Sequence, residues 1–269
     1  MGTLRSRRGR RIVKAVILAG GTGSRLAEET DLKPKPMVEI GEHPILWHVC
    51  NIYAAAGIQE FVIASGYKGE AIAEYFSGFR LRESDAIFDL GTGAVEFLPR
   101  DRVPHWSVAV VDTGAATATG GRLKRLGNWL GEDSTFLMTY GDGVADLDVR
   151  RVVEFHKAHG KLCTVTVVRP SARFGTVVLD GDDVVEFAEK SPAHEGWING
   201  GFFVLEREVL DLIDDDATAW ERAPMERLAH EGQMSAFRHD GFWHPMDTLR
   251  DKRYLNELWT SGTAPWKIW

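Results

Sequence analysis

The sequence predicts an α/β domain with a central, mostly parallel sheet that is covered by helices on both faces. Short apolar segments alternate with amphipathic segments over the first 170 residues, and this alternation is typical of βαβ units. The apolar segments contain few polar residues, as expected for strands that are buried on both faces. Apolar residues make up 44% of the 269 residues and charged residues 26%, which is the composition of a globular protein with a sizeable core.

The predicted elements of the first part follow one another in a regular order. Strands are predicted at residues 12–18, 61–64, 107–111, 135–140 and 163–168, and helices at 44–56, 71–76, 121–130 and 149–158. Pro44 suits the first turn of its helix, in which apolar residues recur at helical spacing. The early part of the chain therefore predicts repeated strand–helix units.

The pattern changes after Pro170. Short strands are predicted at 176–179, 184–188 and 202–205, with a hairpin turn at 180–183, and the chain then becomes mostly helical at 209–213, 225–230 and 249–259. We expect one domain over 12–269, with a catalytic core at about 12–205 and a helical C-terminal extension at about 206–269. Residues 1–11 are basic and contain glycine and serine, so they predict a disordered leader, with a nucleic-acid-binding arm as the alternative.

Composition also limits the partners that we expect. Two cysteines, Cys50 and Cys163, are too few for a disulfide framework or a cysteine zinc site, and they favour a cytoplasmic protein. The formal net charge of −7 argues against nucleic acid as the main partner. The sequence has no apolar run close to the length of about 20 residues that a membrane span needs, so no membrane partner is expected.

A glycine-rich loop follows the first strand. Leu18-Ala-Gly-Gly-Thr-Gly-Ser-Arg-Leu26 precedes Lys33-Pro-Lys-Pro-Met37. A Rossmann fingerprint starting at Gly21 would need glycine or alanine in place of Leu26, and a Walker loop would need a lysine near its end. Backbone N–H groups, one guanidinium and a proline-framed lysine suit a triphosphate. A tight turn with basic surface residues stays open as the alternative.

These segments resemble the signature of the sugar-1-phosphate nucleotidylyltransferases. The resemblance runs from Val13 to Trp269, and its most specific segments are Thr119-Gly-Gly-Arg-Leu-Lys-Arg125 and Trp243-His-Pro-Met-Asp-Thr-Leu-Arg-Asp251. It is closest to the branch that uses CTP and glucose 1-phosphate. It implies a Rossmann-like nucleotidyltransferase fold, transfer of a cytidylyl group from CTP to α-D-glucose 1-phosphate to give CDP-glucose and pyrophosphate, and a homo-oligomer, specifically a hexamer.

The resemblance also assigns residues to the nucleotide. Arg25 and Lys35 are expected to hold the triphosphate and to assist the departing pyrophosphate. The other expected nucleotide contacts are Leu18, Gly20, Gly21, Gly23, Ser24, Thr117, Arg122 and Gly141.

Two aspartates are candidate magnesium ligands. Asp142 follows an apolar strand and is flanked by glycines, and Asp247 precedes the last amphipathic helix. Magnesium is often held by one or two carboxylates together with substrate phosphates and water. Taken alone, Asp142 could equally form an Asp-Gly turn, and Asp247 could cap the helix. The resemblance implies that both bind Mg²⁺.

The acceptor site is expected to use Lys190 for the sugar phosphate, and Asn199 and Gly200 for the sugar. Two features depart from the family pattern: the proline after Lys190 is displaced to Pro192, and Trp197 stands where a smaller residue is usual. The same chemistry with dTTP, UTP or another phosphorylated acceptor therefore stays open. A non-catalytic nucleotide-sensing subunit is the alternative from another functional class, although the candidate charged residues are all in place.

Overall fold

The computed structural model describes residues 12–23, 26–30, 33–99, 103–131, 134–170, 176–180, 183–188 and 196–269. The predicted leader at 1–11 lies outside these ranges. The strands are β1 (Ile12–Leu18), β2 (Glu39–Ile40), β3 (His43–Pro44), β4 (Glu60–Ser65), β5 (Ser84–Phe88), β6 (Val95–Pro99), β7 (Ser107–Asp112), β8 (Thr135–Tyr140), β9 (Gly143–Ala145), β10 (Cys163–Val168), β11 (Thr176–Asp180), β12 (Asp183–Ala188), β13 (Ile198–Glu206), β14 (Met234–His239) and β15 (Trp243–Pro245). The α-helices are α1 (Ala27–Thr30), α2 (Ile45–Ala55), α3 (Glu70–Ser77), α4 (Phe79–Glu83), α5 (Thr119–Arg125), α6 (Val149–His159), α7 (Ala223–His230) and α8 (Leu249–Thr260).

Seven of these strands form the central sheet, in the order β14-β10-β13-β8-β1-β4-β7. Strand β13 runs antiparallel to both of its neighbours, β10 and β8, and the other pairings in the sheet are parallel. The predicted α/β fold with a mixed, mostly parallel sheet is therefore confirmed.

Helices cover both faces of the sheet because the side chains of each strand alternate between two cores. In β1, Ala15 and Ile17 belong to one apolar cluster, and Val16 and Leu18 belong to the other. Helices α2, α3, α6 and α8 contribute to the first cluster, and α5 and α7 to the second. Strands with two buried faces explain the nearly continuous apolar runs in the sequence.

The C-terminal part contains the helical segments that the sequence predicts and, in addition, two strands. Strand β14 pairs in parallel with β10 as an edge of the central sheet, and β15 pairs with β9. The segment Arg207–Leu212 is a 3-10 helix. The sequence of β14, Met-Ser-Ala-Phe-Arg-His, lacks a strong apolar alternation because it lies at an edge, and this is why the pattern does not reveal it.

The last residues of the chain pack back onto α2. Trp266 is fully buried, and its indole Nε1 lies 3.3 Å from Nδ1 of His48. Trp259 stacks on Trp266, and Trp47 lies edge-on to Trp269. The C-terminal tail is therefore docked on α2 of the same chain. Within the described ranges, none of the helices has the length and apolar character needed to cross a bilayer.

Candidate active site

The loops at one edge of the central sheet form the main cleft of the molecule. Parallel strands end at the same edge, and ligands of open α/β sheets bind there. The glycine loop after β1, the start of α5 and the turn after β8 line a cleft of about 370 Å³. The described residues predicted to contact the nucleotide all line it: Leu18, Gly20, Gly21, Gly23, Lys35, Thr117, Arg122 and Gly141. The predicted residues Ser24, Arg25 and Lys190 lie outside the described ranges.

Lys35 lies between the two predicted metal ligands. Its Nζ is 2.6 Å from Oδ2 of Asp142 and 2.6 Å from Oδ1 of Asp247. Burial lowers the pKa of the Lys35 ammonium, but the two carboxylates outweigh burial, and the net direction of the pKa is upward. Lys35 is therefore a protonated cation held by two anions.

The short ladder between β9 and β15 brings together Asp142, from the middle of the chain, and Asp247, from its last part. Gly143 pairs with Pro245, and the amide of Met246 donates to the carbonyl of Asp142 at 2.8 Å. Asp142 and Asp247 consequently flank the same end of one small ribbon, although 104 residues separate them in the sequence.

Helix α8 is capped by residues other than Asp247. Thr248 is the N-cap, and its hydroxyl and the Asp251 carboxylate form a capping box. Asp251 also accepts a hydrogen bond from the backbone amide of Asp247 at 3.1 Å. The alternative that Asp247 caps the helix is therefore wrong, and its carboxylate contacts Lys35 instead.

The donor set fits a hard divalent cation. Both carboxylate oxygens lie 2.6 Å from the same nitrogen, so they are no more than about 5.2 Å apart and converge on one position. Oxygen ligands of this kind suit magnesium, which takes its remaining ligands from phosphates and water. In the described part of the chain, no group of three or more His, Cys, Asp or Glu residues could hold a metal without such help.

Arg122 holds the floor of the cleft together. Its guanidinium donates to the carbonyls of Ser65, Gly20 and Ala115 and to the hydroxyl of Thr113, over 2.7–3.3 Å. These acceptors belong to the segments that follow β1, β4 and β7. A Cβ atom on Gly20 would lie 2.0 Å from the guanidinium, and one on Gly66 would lie 2.4 Å from it, so both positions require glycine. The predicted contact between Arg122 and the nucleotide stays a prediction.

A smaller cleft of about 60 Å³ adjoins the first beside Asp142, and Asn199 and Gly200 line it as predicted acceptor residues. The indole Nε1 of Trp243 donates to the Gly200 carbonyl at 2.7 Å and closes one side. Trp197 directly precedes β13, and the guanidinium of Arg169 lies 4.5 Å from its ring centre.

Two residues of the site were not identified from the sequence. Tyr140 lines both clefts, and the carboxylate of Glu221 bonds to Tyr140 and to Thr119. Tyr140 is a polar aromatic residue at the carboxyl end of a buried strand, and this position could have marked it as a site residue. No local pattern marks Glu221, which the fold brings to the cleft from the segment before α7.

Comparison with known proteins places this geometry in a family. The model of the nucleotidyl transferase family matches residues 14–244. The chain belongs to the nucleotidyl transferase family. The glucose-1-phosphate cytidylyltransferase of Salmonella typhi is 53% identical over 257 residues, which cover 96% of this chain and 100% of that protein. The resemblance that the sequence motifs indicated is therefore confirmed.

Other relatives agree with this assignment. A protein of Bacillus subtilis described as a probable glucose-1-phosphate cytidylyltransferase is 39% identical over 258 residues, which cover 96% of this chain and 100% of that protein. The crystal structure of HddC from Yersinia pseudotuberculosis has a TM-score of 0.68 at 23% identity, covering 92% of this chain and 100% of that one. At this identity, the structural similarity concerns the fold alone.

Proposed function

We propose that this nucleotidyl transferase transfers a cytidylyl group from CTP to α-D-glucose 1-phosphate and releases pyrophosphate. Within the site, the convergence of Asp142 and Asp247 on Lys35 beside a glycine-lined cleft carries the proposal. The choice of CTP and glucose 1-phosphate rests on the two cytidylyltransferase relatives, both of which match over their full length.

The reaction is an in-line displacement at the α-phosphorus. An oxygen of the sugar phosphate forms a bond to the α-phosphorus while the bond to the bridging oxygen of pyrophosphate breaks, and the electron pair leaves with pyrophosphate. The nucleophile is already ionised at neutral pH, so no general base is needed. The protein therefore contributes by positioning the two substrates and by neutralising the charge of their phosphates.

The residues divide this work as follows. Asp142 and Asp247 would hold a magnesium ion, which supplies positive charge against the nucleotide phosphates. Lys35, already a protonated cation at the cleft, binds triphosphate oxygens together with Arg25. Backbone N–H groups of the glycine loop add further donors. Lys190 binds the sugar phosphate, and Asn199 and Gly200 border the sugar.

Pyrophosphate release tests the proposal directly. The purified chain is supplied with magnesium, glucose 1-phosphate and, in turn, CTP, UTP, dTTP, ATP and GTP. We expect release with CTP alone. Release with UTP or dTTP in place of CTP would contradict the assignment of CTP as the nucleotide. No release with any of the five nucleotides would contradict the assignment of glucose 1-phosphate as the acceptor.

A second candidate keeps the chemistry and changes the acceptor. Trp197 stands two residues before Asn199 in the sequence, and the Arg169 guanidinium lies 4.5 Å from its ring centre, so both are candidates to alter which sugar phosphate fits. A panel of hexose 1-phosphates with CTP tests this candidate. A higher kcat/KM for another hexose than for glucose would favour it.

We also propose that the chain forms a homo-oligomer, with a hexamer as the expected form. The β5–β6 hairpin is a candidate contact for a second copy, because Ile87, Phe88, Val95 and Leu98 are each about half exposed on it. A two-stranded ribbon gains little stability alone and is stabilised by apolar packing. Six chains of 30.0 kDa would give about 180 kDa by light scattering, and Phe88→Ser is expected to lower that mass.

We also propose that the protein acts in the cytoplasm. Cys50 and Cys163 are both free and buried thiols, as expected for a protein of a reducing compartment. Fractionation of cells that express the chain would check this expectation.

A further inference from the structure

Tyr140 separates the two clefts of the site. It is the last residue of β8, and it lines both the larger cleft, which contains the predicted nucleotide residues, and the smaller cleft beside Asn199. Asp142 also borders both clefts. The Tyr140 ring therefore lies where the donor and the acceptor of the proposed reaction would meet.

Several contacts fix this ring. The phenol O–H donates to Oε1 of Glu221 at 2.5 Å, and Asn199 lines the same cleft as the ring. One face of the ring packs directly on Gly201, where a Cβ atom would lie 2.8 Å from the ring carbon Cδ2. Burial and the neighbouring Glu221 raise the pKa of Tyr140, so the phenol remains a donor.

The hydrogen bonds continue from Tyr140 through Glu221. Oε2 of Glu221 accepts from the hydroxyl of Thr119 at 2.6 Å, and Thr119 is the first residue of α5 at the nucleotide cleft. On the other side of the ring, Gly201 of β13 packs against Tyr140, and its amide donates to Oδ1 of Asn199 at 2.8 Å. Tyr140 is thus hydrogen-bonded toward α5, at the nucleotide cleft, and packed against β13, at the acceptor cleft.

We infer that Tyr140 is a positioning residue that sets the angle between donor and acceptor, and that Glu221 holds it in place. This inference rests on the proposed function. An in-line displacement needs the attacking oxygen, the α-phosphorus and the leaving oxygen to be aligned, and a misplacement of about 1 Å can cost about 100-fold in rate. A rigid aromatic ring between two substrates, held by Glu221 at its hydroxyl and by Gly201 at its face, controls that alignment without touching the phosphates.

Removing the hydroxyl tests the inference. In Tyr140→Phe the ring stays and the hydrogen bond to Glu221 is lost. We expect kcat to fall by roughly 10- to 100-fold, while the KM values for CTP and for the sugar phosphate change little, because an interaction that acts on alignment affects the transition state. Glu221→Ala is expected to match Tyr140→Phe, and Glu221→Gln, which keeps an acceptor oxygen, is expected to restore part of the rate.

The double variant Tyr140→Phe/Glu221→Ala decides whether the two residues act through one hydrogen bond. Its loss in kcat should equal that of either single variant, because the same bond is removed. Losses that multiply would overturn the pairing. A wild-type kcat in Tyr140→Phe, or a fall in activity that follows a fall in the thermal unfolding midpoint, would overturn the positioning role.

Two controls separate this inference from the proposed function. Glu226→Gln changes an exposed glutamate of α7, near Glu221 in the sequence, and is expected to retain the wild-type rate. The variants are compared on whichever nucleotide and sugar phosphate the wild type uses best. A best pair other than CTP and glucose 1-phosphate contradicts the proposed function, whereas the ratio of variant to wild-type kcat on that pair still supports or overturns the role of Tyr140.

Discussion

Replacement of Asp247 by asparagine removes the charge of one of the two proposed magnesium ligands and keeps the size of the side chain. Oδ1 of Asp247 lies 2.6 Å from the Lys35 ammonium, and only 18% of the side chain is exposed. The substitution removes one of the two carboxylates that converge on this position. Because one well-placed charge is worth about 100- to 1000-fold in rate, we expect kcat to fall by that factor.

The fold should survive this change. Lys35 retains Asp142 at 2.6 Å as its partner, so no buried charge is left uncompensated. The loss is then one hydrogen bond between charged groups, which is worth roughly 2 kcal/mol. For a chain of this size, such a loss corresponds to a fall of about 4–8 °C in Tm. The capping box at Thr248 and Asp251 does not involve the Asp247 carboxylate and should persist.

Three measurements are made on Asp247→Asn and on the wild type: pyrophosphate release, thermal unfolding, and Mn²⁺ binding by electron paramagnetic resonance. Asp211→Asn, an exposed position in the 3-10 helix Arg207–Leu212, is the matched control. We expect weaker Mn²⁺ binding and slow turnover in Asp247→Asn only. Near-normal turnover, or Mn²⁺ binding equal to that of the wild type, would refute the assignment of Asp247 as a metal ligand.

Three further predictions concern other parts of the chain. Burial lowers the pKa of His48 from 6.5 to about 4, so the unfolded chain binds more protons between these values and stability falls as the pH drops through them. The free energy of unfolding in urea should fall by up to about 3 kcal/mol over this window, and His48→Gln should flatten the dependence. Arg122→Lys replaces a guanidinium that makes four hydrogen bonds by an ammonium with only three donors. We expect Tm to fall by about 4–8 °C and CTP binding, measured by calorimetry, to weaken; an unchanged Tm would contradict the role of Arg122 in joining these loops. Trp197→Met should change the KM for the sugar phosphate and leave that for CTP unaltered, and equal changes in both would place Trp197 outside the acceptor site.

Strong local patterns made most of the fold predictable. Strands β1, β4, β8 and β10 are buried on both faces, so their sequences are mostly apolar, and helices such as α2 and α6 carry one apolar stripe each. The edge strand β14 and the ribbon of β5 and β6 were missed, because these strands have exposed faces and their sequences carry a weaker pattern.

The sequence by itself determined the α/β class, the glycine loop and the residue types of a phosphate and metal site. These features depend on neighbours in the chain, such as the glycines beside Asp142 and the prolines around Lys35. Only the tertiary structure decided which distant residues meet. The β9–β15 ribbon brings Asp247 to Asp142, the Arg122 guanidinium joins three loops, and Glu221 reaches Tyr140 from 81 residues away. Contacts of this kind depend on strand order and register, which local spacing does not encode.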